Sequence, residues 1–437
     1  MVQSVQLTNP DWFILKKQST THITTEKSIP FIDIKVQISV HVKCHIGTSY
    51  TGVDKAPLQD LKANLSNGQG DVITAPGSLS QRPCYNCVTM HENHDHTETF
   101  DFLLLFDLAT GSPKVNYFMV DPRSPSHLLP KMNSIKFKQL KDVSAYRPVV
   151  LNHCLYIIGG RDWNTGTYLA NVRKYDPRVN HWSQVAPMTL ARCRFTAVAL
   201  DGYVYVVGGE TFSSRVTDSV ERYDPSADQW TEVASLPRAR ADHASCSLGG
   251  RIYVSGGISN LKHQCSNVFW VYDPFDNTWR DVTEGSVMPY EREKHNMVAV
   301  GSTKIFFMAG RGFEQDTFDE KDEAEVCHFN ADGQPGAKPG AKPVWDVKHP
   351  ATLHPHSNGA AVLLGRNIWM LGGLSFTKGV HVRMSSFYDV TRRRWRDAFP
   401  LPKGSFANVD CCLLTVGVDN KAFSFADRLI YDRWIMW

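Results

Sequence analysis

No run of about eighteen apolar residues occurs in this chain, so no segment reads as a membrane-spanning helix. The N-terminus lacks the charged-then-apolar pattern of a signal peptide. Charge of one sign is missing too. With 47 basic and 44 acidic residues the formal net charge is +3, which supplies no broad basic field for nucleic acid. Three catalytic signatures are absent: Gly-x-Ser-x-Gly, a glycine-rich loop before Lys-Ser/Thr, and His-Glu-x-x-His. That argues against the hydrolase, nucleotide and zinc-protease chemistries that rest on them, and a non-enzymatic protein without a cofactor is expected. The ten cysteines form no disulfide framework. Several fall in apolar strand patterns, where a free thiol behaves as a small hydrophobe, and a reducing, cytoplasmic setting is expected.

What is present is a repeat. Leu155, Tyr156, Ile157 and Ile158 run into Gly159-Gly160, followed by Tyr175-Asp176-Pro177 and Trp182. The same order returns with Gly208-Gly209, Tyr223-Asp224-Pro225 and Trp230, and again with Gly256-Gly257, Tyr272-Asp273-Pro274 and Trp279. The spacing between successive glycine pairs is 49 and then 48 residues. A degraded copy has Ala309-Gly310 and Trp345, a better one has Gly372-Gly373, Tyr388-Asp389 and Trp395, and a weak first copy holds Tyr117 and Asp121-Pro122. Short runs of Val, Ile, Leu and Tyr bounded by turn residues, with no helical periodicity, predict a four-stranded antiparallel sheet per copy. Such sheets cannot bury both faces alone, so stacking around an axis is the natural outcome.

The glycine pair, Tyr-Asp-Pro and Trp, repeated about every fifty residues, resemble the kelch repeat over roughly residues 100–437. The resemblance implies an all-β, six-bladed kelch β-propeller. The first copy has no evident innermost strand, and residues 406–416, with Val409, Cys411, Cys412, Leu413, Leu414 and Val416, are expected to supply it by C-terminal closure. Residues 1–99 read as an N-terminal extension. Ile32, Ile34, Val36, Ile38, Val40, Val42, Cys44 and Ile46 alternate with polar residues as a long strand, and 47–83 are linker-like.

Three polar clusters stand out. Cys84, Cys87, His91, His94 and His96 are zinc-ligand types, read here as an incidental polar loop. His349, His354 and His356 read as a solvent-facing loop. Residues 314–325, with seven acidic residues against Lys321, read as a solvated insertion or a partner-contacting lid. The inter-blade loops carry basic residues at two offsets from the glycine pair. Arg192 and Arg240 lie sixteen residues before it, with Arg194 and Arg292 beside that register, and Arg161, Arg215, Lys262 and Arg311 lie just after it. Two readings compete. These side chains form a basic rim that binds an acidic segment of a protein partner through forked guanidinium–carboxylate bonds, or they tie adjacent blades. Val143 and His356 occupy the register elsewhere.

At the level of the repeat and its closure the chain resembles the Kelch-like family of ubiquitin-ligase adaptors, whose propeller holds a substrate while BTB and BACK domains engage a cullin. Residues 1–99 are too short for both domains. The resemblance thus implies a substrate receptor, or a truncated form of one, that reaches a cullin only through a BTB domain supplied by another isoform or chain. An actin-associated kelch scaffold is the alternative, and a propeller enzyme a remote one.

Overall fold

The computed structural model describes residues 98–120 and 132–418, apart from short stretches at 260–264, 283–287, 315–316, 321–324, 329–343, 347–348, 355, 376–377, 403 and 405. The alternating segment within 32–46, the linker 47–83 and the Cys84–His96 cluster lie outside the described residues. Among the described residues there are strands and two short 3-10 turns but no α-helix, and no helix is long and apolar enough to cross a membrane. The architecture is an all-β propeller.

Among the described residues there are six four-stranded antiparallel sheets. The second to sixth follow chain order and begin with Arg147–Leu151, Thr196–Leu200, Ala244–Leu248, Asn296–Val300 and Ala360–Leu364. The first combines Glu98–Asp107, Lys114–Val120 and Asn133–Lys136 with Val409–Val418 from the far end of the chain. That last strand pairs antiparallel to Glu98–Asp107, from Glu98 opposite Val418 to Asp107 opposite Val409. The opening strands of successive sheets touch one another, and Val409–Val418 touches both Ala360–Leu364 and Arg147–Leu151, so the circle is closed.

The composition of each strand follows from its radial position. The second strands, such as Cys154–Ile158 and Tyr203–Val207, are apolar on both faces because a neighbouring sheet covers each side. Outer strands such as His181–Val185 are largely exposed. The core is divided into seams between sheets: Leu155, Ile157 and Tyr175 meet Phe102, Phe106 and Leu414, and Leu103, Leu105 and Phe118 meet Leu371 and Phe399.

The repeat residues act at those seams. Tyr175, Tyr223, Tyr272 and Tyr388 are fully buried. The first three donate their hydroxyl to Asn180, Asp228 and Asn277 in their own turns, at 2.9, 2.7 and 2.8 Å. Those turn residues adopt φ of 48°, 50° and 53°, a left-handed conformation that Asn and Asp tolerate. The aspartate of Tyr-Asp-Pro closes its turn by accepting a backbone N–H two residues on, as Asp224 Oδ1 does from Ser226 at 2.8 Å. The tryptophans reach back across the seam: Trp230 Nε1 donates to Ala186 O at 2.8 Å, Trp279 to Ala234 O at 2.7 Å and Trp395 to Pro350 O at 2.9 Å. Only Trp395 is fully buried, whereas Trp182, Trp230 and Trp279 keep an exposed edge.

The glycine pair answers to close backbone approach. A Cβ on Gly256 would lie 2.4 Å from the carbonyl oxygen of Arg292 in the next sheet. Where the pair is degraded to Ala309-Gly310, Ala309 still takes φ 58°.

A chain ended at residue 404 loses the strand that completes the first sheet, and it is expected to lose cooperative unfolding in urea. Trp230→Ala removes a seam wedge and its hydrogen bond and is expected to cost about 3 kcal/mol, read from the shift of the urea midpoint.

Candidate functional site

The loops between second and third strands, and those that lead from one sheet to the next, share one end of the propeller, and the candidate arginines lie there. The structure separates them into two groups. Arg192, Arg240 and Arg292 are 0–1% exposed, so they are not part of a solvent rim. Each guanidinium turns inward to a carbonyl at its own glycine pair: Arg192 Nη1 donates to Gly208 O at 2.9 Å, Arg240 Nη1 to Gly256 O, and Arg292 Nη1 to Ala309 O at 3.0 Å. Their own carbonyls accept from the preceding sheet, Gly160 N to Arg192 O at 2.9 Å, Gly209 N to Arg240 O at 2.8 Å and Gly257 N to Arg292 O at 2.9 Å. Each of the three guanidiniums is thus bound within its own sheet, and it is the main-chain carbonyl of the arginine that joins it to the preceding sheet. Arg311 is corrected likewise, being 6% exposed with Nε 2.7 Å from Glu293 Oε1.

The charge of the buried arginines is met in different ways. Arg192 Nη2 lies 2.5 Å from Glu221 Oε1, and both side chains are fully buried. Glu221 also accepts from Thr189 N at 2.6 Å and Leu190 N at 3.1 Å. Burial pulls the Arg192 guanidinium below its usual range, against the pull of Glu221. Arg240 has no such carboxylate among the described residues; its guanidinium carbon sits 4.0 Å from the centre of the Trp270 ring, a cation–π contact. Glu221 and Trp270 both stand two residues before the repeat tyrosine. An acid at that inward strand position was the sequence signal for a buried partner.

Around the axis runs a belt of residues with positive φ: Ala145 (51°), Arg194 (57°), Asp242 (53°), Lys294 (54°) and Asn358 (58°). Backbone bonds link them, from Asp242 N to Arg194 O at 3.0 Å, Lys294 N to Asp242 O at 2.8 Å and Asn358 N to Lys294 O at 3.2 Å. They line an axial cavity of 430 Å³ together with Arg147 and Asp410. The charges there are already paired. Arg194 bonds Glu210 Oε2 at 2.5 Å and Asp242, Lys294 Nζ lies 3.8 Å from Asp242 Oδ2, and Arg147 Nη1 lies 3.4 Å from Asp410 Oδ2. Burial raises the Asp242 carboxyl, but Lys294 and Arg194 outweigh it and hold the carboxyl below its usual range. His243, beside this cavity, is pushed down to about 3 by burial and by Arg240, and is neutral at physiological pH.

Arg161 and Arg215 remain exposed, and Lys262 lies outside the described residues. They stand among side chains that had not been singled out. Trp163 is 55% and Phe212 81% exposed. The Trp163 loop is held rigidly: Trp163 N donates to Asp142 O at 2.7 Å, Asp162 Oδ1 accepts from Thr165 N at 2.8 Å, and Arg161 Nε donates to Gly166 O at 2.7 Å. Tyr168 bridges to the next loop, with Arg161 5.5 Å from its ring and its hydroxyl donated to Glu210 Oε1 at 2.5 Å. Phe212 precedes Ser213 and Ser214, at φ 60° and 56°, two consecutive left-handed residues of the strained kind that cluster at binding sites.

The histidine loop is not solvent-facing throughout. His349 Nδ1 is 2.7 Å from Tyr388 Oη, His354 Nε2 is 2.8 Å from Asp397 Oδ1, and His356 is 2% exposed. No metal-ligating cluster occurs among the described residues. Arg311–Glu314 and Thr317–Glu320 pair as a hairpin within the acidic insertion. Arg192→Ala strands the buried Glu221 carboxylate and is expected to cost about 3–5 kcal/mol, whereas Arg161→Ala is expected to stay within about 0.5 kcal/mol; urea unfolding of the two variants checks the contrast.

The KLHDC2/KLHL20/DRC7 Kelch-repeats domain matches residues 109–332, just over half of the chain. Kelch-like protein 21 of Mus musculus is 29% identical over 358 residues, covering 82% of this chain and 48% of that protein. Beta-scruin of Limulus polyphemus is 36% identical over 85 residues, covering 18% and 9%. The chain thus spans about half the length, or less, of these relatives. The structure of YjhT matches with a TM-score of 0.53 at 14% identity, covering 67% of this chain and 95% of that one, a likeness of fold alone. The match across just over half its length, on sheets built from the glycine pair, Tyr-Asp-Pro and Trp, makes this chain a member of the kelch-repeat family, a protein-binding module related to the Kelch-like proteins.

Proposed function

We propose that residues 100–437 form a six-bladed, non-enzymatic receptor that holds a protein partner on the loop face, and that the chain acts as the substrate-holding part of a cullin-dependent ubiquitin ligase. Residues 1–99 are an extension in this reading, and a BTB domain supplied by another isoform or chain makes the link to the cullin. A reducing, cytoplasmic setting fits the six free cysteines among the described residues.

The carrying observation is the exposed pair Trp163 and Phe212, flanked by Arg161, Arg215 and Tyr168 on loops fixed by backbone and side-chain bonds. Trp, Tyr and Arg are the residue types that dominate binding energy at protein interfaces, and a preformed loop has little ordering entropy left to lose on association. Arg194 and Lys294 are paired internally, and the exposed positive charge beside Trp163 and Phe212 includes that of Arg161 and Arg215. The partner segment is therefore one with an apolar side chain beside a carboxylate, a narrower requirement than a purely acidic stretch.

The test is affinity capture by the full chain from cell extract, followed by titration of the purified partner. Trp163→Ala combined with Phe212→Ala is expected to weaken binding at least about tenfold, the loss of roughly 1.4 kcal/mol, with an unchanged melting temperature. A cullin and a BTB protein among the captured chains support the ligase role. Co-sedimentation with actin filaments in place of a cullin would sink it in favour of a cytoskeletal scaffold.

A further inference from the structure

The sixth sheet differs from the others at its outer edge. Its last strand, Arg394–Pro400, completes the run Arg392-Arg393-Arg394-Trp395-Arg396. The repeats supply their own comparison. The equivalent tryptophan is flanked by His181 and Ser183 in the second sheet, Gln229 and Thr231 in the third, Thr278 and Arg280 in the fourth, and Val344 and Asp346 in the fifth. Packing of the tryptophan therefore does not require arginine on both sides.

Two of the arginines are engaged locally. Arg392 Nη1 is 2.9 Å from Asp389 Oδ2, and Arg393 Nη2 is 2.9 Å from Asp346 Oδ2 of the fifth sheet. Arg394 and Arg396 are exposed and have no ion-pair partner among the described residues. Arg366, also exposed, lies at the same end of this sheet, where its carbonyl accepts from Val390 N at 3.2 Å. Arg394 lies opposite Asp389 and Arg396 opposite Phe387 on the inner neighbour, and no strand among the described residues pairs on the outer side. Two positions apart on one strand, they share a face at a spacing of roughly 6.5–7 Å.

We propose that this edge is a second docking surface, which takes an extended acidic segment of a protein with carboxylates at alternate positions. Alternate side chains of an extended segment repeat at the same spacing of roughly 6.5–7 Å, so two carboxylates face two guanidinium forks, each able to form two parallel bonds. A protein segment fits better than a nucleic acid because the aromatic ring in the run is turned away: Trp395 is 8% exposed and bonded to Pro350 O, and no ring is offered for base stacking. The turns that carry Arg366 and Arg392 lie at the opposite end of the strands from the loops that carry Trp163 and Phe212. A partner on the loop face leaves this edge free.

The experiment is fluorescence anisotropy with the full chain and a labelled peptide of alternating Glu and Thr. Saturable binding is expected at low salt, fading at about 0.5 M as screening shortens. Arg394→Glu with Arg396→Glu is expected to lower affinity at least about tenfold, and Arg394→Lys with Arg396→Lys several-fold, through loss of the fork. Trp163→Ala with Phe212→Ala is expected to leave it unchanged. Undiminished binding by the charge-reversed chain overturns the proposal. If that variant does not fold, unchanged affinity in the lysine pair overturns it instead. Tighter capture, through the same arginines, of a single-stranded oligonucleotide or of phosphatidylserine vesicles overturns it in favour of that ligand.

Discussion

The rest of this structure depends on the backbone hydrogen bond that the second glycine of each pair donates to the next sheet. It recurs at five junctions: Gly160 to Arg192, Gly209 to Arg240, Gly257 to Arg292, Gly310 to His356 and Gly373 to Phe406, at 2.7–2.9 Å. Each bond brings the loop that opens one sheet onto the backbone of the sheet before it, so closely that a Cβ on the first glycine of the pair would lie 2.9, 2.7, 2.4 and 3.1 Å from the same carbonyl oxygen at Gly159, Gly208, Gly256 and Gly372. The approach buries the residue that supplies the carbonyl. Where that residue is arginine, its guanidinium lies in a dry seam and must find acceptors there, which the carbonyls of Gly208, Gly256 and Ala309 provide. One position serves two sheets at once, by its main chain and by its side chain.

That constraint decides where recognition can occur. The residues nearest the junctions, although basic and regularly spaced, are committed to holding sheets together, and the charges around the axial cavity are committed to one another. Among the described residues, exposed side chains lie farther out, in the loops between second and third strands, in parts of the connections between sheets and along outer edges. There the repeats stop resembling one another: arginine stands on both sides of Trp395 and on both sides of none of the equivalent tryptophans Trp182, Trp230, Trp279 and Trp345. Uniformity marks what the scaffold requires, and departure from it marks what is available for binding.

The fold was legible because its determinants are local and repeated. A glycine pair, an Asp-Pro turn with Asn or Asp at its left-handed residue, and a strand apolar on both faces each state a backbone or burial requirement that can be read one copy at a time. The closing strand was legible for the same reason, since the first copy lacked an innermost strand and residues 406–416 offered one.

The arginines show where that legibility ends. Their offset of sixteen residues from the glycine pair was plain in the sequence, and the sequence by itself determined that they recur. Whether a guanidinium at that offset faces water or a carbonyl depends on how the opening loop folds back onto its own glycine pair and on the neighbouring sheet that covers it. Only the tertiary structure decided that Arg192 meets Glu221, 29 positions away, while Arg161 stays in solvent. Local sequence specifies conformation and burial propensity, whereas the partner of a long, charged side chain is chosen by the geometry of the seam that forms around it.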